Sequence, residues 1–331
     1  MSLRRKINPV SKINNDTGFG TQANQIGGRF VNKDGSFNVK KVGLPIWEGM
    51  SIYSWLLELS MIEFLGIILC FFFFENCIFT GLYMIAGAHQ LQGITAITEW
   101  DKIKEIFFFS TQTFTTVGYG RINPQGDLAN IISSLESLTG LLTFALITGL
   151  IYGRFTRPQA YIAFSDNALI SPYKDGIALM FRLVPYKQNH HITDARIVVN
   201  VAFQEIENEK TLFKFYTLNL ERTKVDALMM NWTVVHPIDN ESPLLHLALE
   251  DMQTIDLELY VQFTGFDHVF SSTVMQRTSY TYKEIVWGAK FQSMYTEAPD
   301  DSTTIVQLNK LNSYDKVNLS FTQPAIQKNE V

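Results

Sequence analysis

The chain has 331 residues, a formal net charge of −5 and a mean hydropathy of +0.04. These values exclude a chain that lies mostly within a membrane, and the length is sufficient for two domains. The modest charge gives no indication of nucleic acid binding, and we expect no such partner. Cys70 and Cys77 stand seven residues apart in one apolar run, about 10 Å along a helix, so we expect buried, unpaired thiols.

Residues 1–42 are polar, and basic residues outnumber acidic ones there. Five glycines disfavour regular structure, so we expect a solvated tail, which the basic excess places in the cytoplasm. Residues 43–58 follow, with Pro45 suited to a first helical turn and with Trp47, Tyr53 and Trp55 behind it. This pattern favours an amphipathic helix at the membrane interface, and the alternative is that these are the first turns of the span itself.

Two apolar segments are long enough to cross a bilayer. The first, residues 59–86, is interrupted by Glu63 and Glu75. Glu63 lies near the inner end, where it could reach the interface or pair with a basic residue, whereas Glu75 is expected to face protein or to be protonated. The second, residues 128–157, ends with Arg154 and Arg157. These basic residues predict a multi-pass plasma membrane protein, the inner membrane in a bacterium, with both termini cytoplasmic.

Between the spans, residues 101–120 combine a short apolar helix with a glycine-containing motif. Asp101 or Thr98 could cap the helix. The motif, Thr116-Val117-Gly118-Tyr119-Gly120, matches the potassium-channel selectivity filter, and the alternative is a glycine turn in a hairpin. Residues 59–157 are therefore predicted to form a pore domain with a re-entrant pore helix.

The residue types of this motif suit a dehydrated cation. Backbone carbonyls point in one direction only if the backbone alternates between right- and left-handed conformations, and Gly118 and Gly120 adopt the left-handed one without a steric penalty. Val117 can brace the strand, Thr116 can add a hydroxyl ring, and the Tyr119 hydroxyl can bond outward. One chain supplies a quarter of each ring, so the motif predicts a homotetramer with K⁺ as its permeant ion and no other metal or cofactor.

From residue 158 the pattern changes to short runs with period two. Ile197, Val199, Val201 and Phe203 alternate with other residues, and Leu257, Leu259, Val261 and Phe263 do the same. This pattern predicts an all-β sandwich over residues 158–310 in the cytoplasm. Residues 311–331 are polar and are expected to form a loose tail.

Several motifs together resemble the inward-rectifier (Kir-type) potassium channel family, most closely its bacterial branch. They are residues 107–120 with the following span through 152–158, the run 232–244, and Glu284-Ile-Val-Trp-Gly288. The resemblance covers residues 43–300. It implies a tetramer, an immunoglobulin-like cytoplasmic domain on the pore axis, and a gate where the inner helices converge.

The resemblance places the gating residues on the inner helix. Gly140 and Gly149 are implied bending points, although close helix packing is an equal alternative. Tyr152 is the implied constriction at the helix crossing, with an interfacial anchor as the alternative. Phe144, placed with the gate, stands where strongly rectifying relatives carry an acid, so strong rectification is not implied. Glu136 would partly replace that acid if it faced the cavity.

A second narrowing is implied on the cytoplasmic side, at Ser271, Ser272 and Thr273. Behind the filter, Gln112 stands where some relatives carry Glu, so that position cannot form an ion pair with Arg121.

The family's response to anionic lipids implies a lipid-binding role for basic residues at the membrane boundary. Here these are Arg154, Arg157, Lys40 and Lys41, each expected to contribute about 1 kcal/mol near an anionic surface. Orientation of the spans alone is the alternative explanation for the arginines.

The sequence therefore predicts a lipid-modulated, potassium-selective channel of the inward-rectifier type. The alternative is a membrane-anchored sensor that no longer conducts. No combination of nucleophile, base and metal ligands indicates an enzyme, and the histidines lack metal-ligand spacing.

Overall fold

The computed structural model describes residues 8, 11, 13–14, 29–43, 45, 51–207, 210–297 and 303–319, without the side chains of 205–212. The chain forms two compact units. One comprises Met1–Lys40 together with Pro158–Val331, and the other comprises Lys41–Arg157. Much of the predicted N-terminal tail, positions 46–50 of the predicted interfacial helix and positions 320–331 of the C-terminal tail lie outside the described residues.

The unit Lys41–Arg157 is built from helices. In chain order they are α1 (Ile52–Glu58), α2 (Met61–Ala86), α3 (Glu99–Phe114) and α4 (Asp127–Phe155), with β1 (Leu91–Gln92) pairing antiparallel with β2 (Asn123–Pro124). By length and composition α2 and α4 are able to cross a membrane. We call α2 the outer helix, α3 the pore helix and α4 the inner helix. A separate turn ends α1 at Glu58, so the described part of the interfacial segment is not continuous with the span.

The outer and pore helices begin at side-chain caps. Thr98, not Asp101, is the N-cap of the pore helix, accepting from the backbone N–H of Asp101 at 3.2 Å. Ser60 and Glu63 form a reciprocal capping box on the outer helix, with bonds of 3.3 and 2.8 Å. Glu63 therefore caps the start of the helix, and it forms no ion pair with a basic residue among the described positions.

The other unit is a two-sheet sandwich, as expected. The strands of its first part are β3 (Ile162–Phe164), β4 (Ala168–Tyr173), β5 (Gly176–Pro185), β6 (Ile192–Glu207), β7 (Lys210–Thr217), β8 (Lys224–Leu228), β9 (Trp232–Pro237), β10 (Glu258–Asp267) and β11 (Ser272–Thr281). A short helix, α5 (Leu249–Thr254), precedes β10, and short strands follow: β12 (Ile285–Trp287), β13 (Ala289–Phe291), β14 (Tyr295–Glu297), β15 (Thr304–Val306) and β16 (Tyr314–Lys316).

The first sheet has the order β11-β10-β6-β7, and β8 also pairs with β6. The second has the order β12-β4-β5-β3, and β9 also pairs with β5. Every pair is antiparallel except β12 with β4. The alternation predicted for residues 197–203 and 257–263 is confirmed, because the apolar member of each pair is buried in the core between the sheets.

The N-terminal segment corrects one expectation. Phe30 and Val31, expected in a solvated tail, are 3% exposed and pack on the outer face of the first sheet. Phe30 meets the ring of Phe213 edge-on at 5.1 Å between centroids. An aromatic side chain removed from water in this way stabilises the segment on the sheet.

The C-terminal segment corrects another. Residues 311–317 were expected to be loose, but Leu311 is buried and β16 pairs antiparallel with β13. Cys70 and Cys77 are unpaired as expected, yet both are exposed on the outer helix in the single chain.

Candidate ion-conduction site

The backbone of the predicted filter alternates in handedness. Thr116, Gly118 and Gly120 have φ of +60°, +53° and +81°, whereas Val117 and Tyr119 between them do not have positive φ. Left-handed backbone is open to glycine and costly for threonine, so its use at three alternate positions is not a generic turn. This is the alternation that a column of like-directed carbonyls requires.

The pore helix fixes the start of this segment. The carbonyl of Gln112 accepts the N–H groups of Val117 at 2.9 Å and Gly118 at 3.3 Å. The side chains that follow are open in the single chain, with Val117 52% and Tyr119 79% exposed. Hydrogen bonds from within the chain therefore fix the first residues of the filter, whereas the side chains of Val117 and Tyr119 remain uncovered in a single chain.

Arg121, directly after the filter, has an acidic partner that the sequence did not indicate. Its guanidinium lies 3.2 Å from the carboxylate of Glu105 on the pore helix. Glu105 also accepts the backbone N–H of Thr95 at 3.0 Å and its hydroxyl at 3.1 Å. One acid thus joins the pore helix, the loop before it and the residue after the filter.

A cavity of about 530 Å³ opens beside the filter entrance. Its wall includes Thr115 and Thr116 from the filter side and Gly140, Leu141 and Phe144 from the inner helix. The structure therefore brings Phe144 and Gly140 together with the filter.

The two inner-helix glycines have different surroundings. A Cβ added at Gly140 would lie 2.0 Å from the carbonyl oxygen of Phe114, whereas one added at Gly149 would meet nothing within 4 Å. Close packing therefore accounts for Gly140. Tyr152, one turn further on, is 70% exposed in the single chain.

Glu136 does not face the cavity, so the condition for its replacing a rectifying acid is not met. It is fully buried and accepts a hydrogen bond from the Tyr83 hydroxyl at 2.6 Å. It also bonds Ser110 of the pore helix. The polar residues Tyr83 and Ser110 within apolar helices were the available signal, because an acid inside a membrane requires such partners.

The predicted lipid-binding residues fall into two groups. Arg154 is partly buried, donating to the carbonyls of Leu56 at 2.7 Å and Leu59 at 2.6 Å, with its guanidinium 4.7 Å from the Phe64 ring centroid. It therefore ties the end of α1 to the inner helix. Arg157, Lys40 and Lys41 are exposed.

The predicted cytoplasmic narrowing lies at the β10–β11 turn of the sandwich unit. Ser271 has φ of +47°, and Ser272 and Thr273 begin β11. The turn is held by Asp267, which pairs with His190 at 2.7 Å and accepts the N–H of Phe270 at 3.0 Å. Burial acts to raise the pKa of Asp267, but these bonds outweigh it and hold that pKa below its ordinary value.

Within the described ranges, no three His, Cys, Asp or Glu side chains converge on a position that would hold a metal ion. The described residues thus contain no such group of metal ligands beside the predicted filter.

Comparison with known proteins decides the family. The sequence profile described as "Inward rectifier potassium channel C-terminal domain" matches residues 162–330, and the profile described as "Ion channel" matches residues 61–157. The chain belongs to the inward rectifier potassium channel family. Membership in this family makes it an ion channel and not an enzyme.

Individual relatives of this channel span bacteria to animals. Kirbac3.1 from Paramagnetospirillum magnetotacticum is 34% identical over 82% of this chain and 91% of its own length. The irk-1 channel of Caenorhabditis elegans is 24% identical over 90% of this chain and 58% of its own length. Inward rectifier potassium channel 4 of Mesocricetus auratus is 29% identical over 58% of this chain and 45% of its own length. The family profiles and the similarity to Kirbac3.1 together support a bacterial Kir-type channel.

One solved structure compared with this channel is the sporulation control protein Spo0M from Bacillus subtilis. Its TM-score is 0.23 at 7% identity, covering 39% of this chain and 50% of that chain. A likeness at that level carries no argument about the channel.

Proposed function

We propose that four copies of this chain form a potassium-selective channel, with Thr116, Val117, Gly118, Tyr119 and Gly120 as the selectivity filter. The observation that carries the proposal is the left-handed backbone at Thr116, Gly118 and Gly120. Fourfold repetition of this segment would stack rings of carbonyls that replace the hydration shell of K⁺. The exposure of Val117 and Tyr119 in the single chain supports the tetramer, because neighbouring copies would cover them.

Two features favour a cation next to the filter. The pore helix ends at Phe114, so the negative end of its dipole lies at the cavity entrance. The Thr116 hydroxyl adds an acceptor at the same place. The cavity wall thereby stabilises K⁺ before it loses its water.

Gating is proposed at two positions. Four Tyr152 side chains at the inner-helix crossing would exclude water when the helices converge, and bending at Gly149 would separate them. The turn at Ser271, Ser272 and Thr273 would form the second narrowing, held by Asp267 and His190. Both termini are assigned to the cytoplasmic side, because Arg154 and Arg157 follow the inner helix.

Anionic lipids are the proposed modulators. The exposure of Arg157, Lys40 and Lys41 supports contact with lipid phosphates. Arg154, whose guanidinium already donates to two carbonyls, is assigned to positioning α1.

Conduction is tested by ion uptake into liposomes that contain the purified channel, comparing K⁺ with Na⁺ and adding barium as a blocker. We expect K⁺-selective flux that barium stops. Equal uptake of the two ions would show that the filter assignment is wrong, and no uptake would favour a non-conducting scaffold once the Tyr152 variant below is also silent.

Gly118→Ala is expected to abolish selective flux, because a Cβ in left-handed backbone costs about 1–2 kcal/mol in every subunit. Gly66→Ala is the matched control, since its added Cβ meets nothing within 4 Å and its φ is not positive. A Gly118→Ala channel that still prefers K⁺ would contradict the assignment.

Tyr152→Ala is expected to raise K⁺ flux in the same assay while selectivity is kept. A smaller side chain at the crossing widens the constriction and leaves the filter unchanged. Unchanged flux at equal protein density would assign Tyr152 to an interfacial anchor.

Lipid modulation is tested by measuring flux as the fraction of anionic phospholipid increases. We expect Arg157→Gln to weaken the lipid dependence, because each exposed charge contributes about 1 kcal/mol of attraction to an anionic surface. A lipid response identical to that of the unmodified channel would remove Arg157 from the lipid site.

A further inference from the structure

Glu136 is the buried acid at which all three long helices of the membrane unit meet. Its carboxyl contacts Tyr83 of the outer helix and Ser110 of the pore helix, while Glu136 itself belongs to the inner helix. Ser110 also lies 3.1 Å from the side-chain oxygen of Asn76 on the outer helix. Glu136, Ser110 and Asn76 are each 0% exposed. We call these four residues the polar hub.

The hydrogens available to the polar hub can be counted. Tyr83 donates to one carboxyl oxygen of Glu136 at 2.6 Å, and the Asn76 amide nitrogen donates to the Phe72 carbonyl at 2.7 Å. The Asn76 backbone oxygen, 3.4 Å from the Ser110 hydroxyl, already accepts from the Thr80 hydroxyl at 2.6 Å. The single Ser110 hydrogen is then left to serve the other carboxyl oxygen and the Asn76 side-chain oxygen.

Protonation of Glu136 resolves this shortage. A carboxylic acid donates to the Ser110 oxygen, and Ser110 donates onward to Asn76, so every polar atom of the hub is paired. An ionised Glu136 would take the Ser110 hydrogen, leaving the Asn76 oxygen without a donor. It would also bury a charge that no Lys, Arg or His side chain of the described residues approaches as an ion-pair partner.

The polar hub lies at the contact surface between the inner and pore helices. Glu136 meets Ser110, and four residues further along each helix Gly140 packs against the carbonyl of Phe114. This paired spacing places both contacts on one face of each helix. Between the two pore-helix positions is Gln112, whose carbonyl holds the Val117 and Gly118 N–H groups of the filter.

We propose that Glu136 is held as a neutral carboxylic acid and is a positioning residue for the filter, acting through Ser110 and the pore helix. Its role in selectivity rests on the proposed conduction of K⁺, whereas its protonation does not. Among the residues that the structure describes, Tyr83 is the only titratable side chain that hydrogen-bonds Glu136.

Infrared difference spectroscopy on the full chain tests the protonation state. The spectrum of Glu136→Gln is subtracted from that of the unmodified protein at neutral pH. We expect the difference to contain the carbonyl stretch of a protonated carboxylic acid, which Glu136 alone contributes to it. A difference that contains carboxylate bands instead would overturn the neutral assignment.

The positioning role is tested with three variants in K⁺ and Na⁺ flux. Glu136→Gln supplies an amide N–H to Ser110 and an oxygen to Tyr83, so its K⁺ preference is expected to stay within about twofold of the unmodified channel. Glu136→Leu and Ser110→Ala each break the chain of bonds, and the preference is expected to fall about tenfold. Ser133→Ala is the control, because in the described part of the chain its hydroxyl bonds only the Asn130 carbonyl within its own helix.

Hydrogen exchange at the Val117 and Gly118 amides gives a readout that does not require conduction. Exchange is expected to be faster in Glu136→Leu and unchanged in Glu136→Gln. The positioning role would be overturned if Glu136→Gln lost as much K⁺ selectivity, or as much protection of the Val117 and Gly118 amides, as Glu136→Leu. If neither the unmodified protein nor Tyr152→Ala conducts, the proposed function fails, while the spectra and the exchange rates still decide this inference.

Discussion

His236 shows how a single residue is fixed within the sandwich. One imidazole nitrogen lies 2.6 Å from the Asn219 carbonyl, and the other lies 2.8 Å from the Ser242 hydroxyl. Only 2% of the residue is exposed. Both ring nitrogens are therefore hydrogen-bonded to partners within the sandwich. Burial lowers the pKa of His236, because the loss of hydration disfavours the charged ring by more than the Asn219 carbonyl favours it.

The sandwich is therefore expected to lose stability on acidification through this residue. The unfolded chain takes up a proton near pH 6.5, whereas the folded protein does so only at its lowered pKa. Above pH 6.5 the titration of His236 takes nothing from the free energy of unfolding. Below pH 6.5 it lowers that free energy by at most about 1.4 kcal/mol per pH unit. Hydrogen exchange of β9 in the full chain from pH 7 to about pH 5 measures the effect. The loss of stability on acidification should disappear in His236→Gln and persist in His191→Gln, whose ring is exposed.

At the level of elements, the inner helix lies against the pore helix at Gly140. The Phe114 carbonyl occupies the space that a side chain would need there. Glu136, one turn earlier, adds a hydrogen bond along the same face. A small residue and a polar one, four apart, thus set the distance between these two helices.

Gly140→Ala is expected to disrupt this approach, since its Cβ would lie 2.0 Å from a backbone oxygen that cannot rotate away. Overpacking of this kind costs about 1–3 kcal/mol per subunit. Thermal unfolding in detergent should shift to lower temperature, and K⁺ flux should fall. Gly149→Ala, which has open space, should leave the unfolding temperature unchanged; an equal loss in both variants would contradict the packing explanation.

The elements show which features a sequence pattern can reveal. Period-two alternation in β6 and β10 predicted their buried faces, because burial repeats with the pleat of a strand. Strands β4 and β11 show no such alternation in their sequences, so a period of two does not reveal them. Partners far apart in the chain were also missed, such as Glu105 with Arg121 and Glu136 with Tyr83. Hydrogen bonds between separate helices leave no periodic trace in the sequence.

At the scale of the whole molecule, the sandwich is completed by a segment from the other end of the chain. Arg29 donates to the Ser279 side chain at 2.7 Å and pairs with Glu284. The Phe30 N–H donates at 3.1 Å to Glu258, a buried carboxyl whose pKa is raised by burial. The basic tail of the sequence is therefore, over residues 29–34, a clasp on the first sheet.

Phe30→Ala is expected to release this clasp. Truncating a buried phenylalanine costs about 3–5 kcal/mol, and little else of comparable size anchors the segment in the apolar cluster. Hydrogen exchange of residues 30–38 should accelerate while the β5 core stays protected. Val39→Ala, at a side chain that is 61% exposed, should leave both exchange rates unchanged. An unchanged rate at residues 30–38 in Phe30→Ala would show that Arg29 and Lys33 are enough to anchor the segment.

The clasp also fixes an order of events during synthesis. Arg29 leaves the ribosome 255 residues before its partner Glu284, and both membrane helices are made in between. At about 5–20 residues per second, the segment waits roughly 10–50 s for its binding surface. The sandwich unit is thus discontinuous in sequence, with the pore segment between its two pieces, and Arg29 cannot reach Glu284 until nearly the whole chain has been translated.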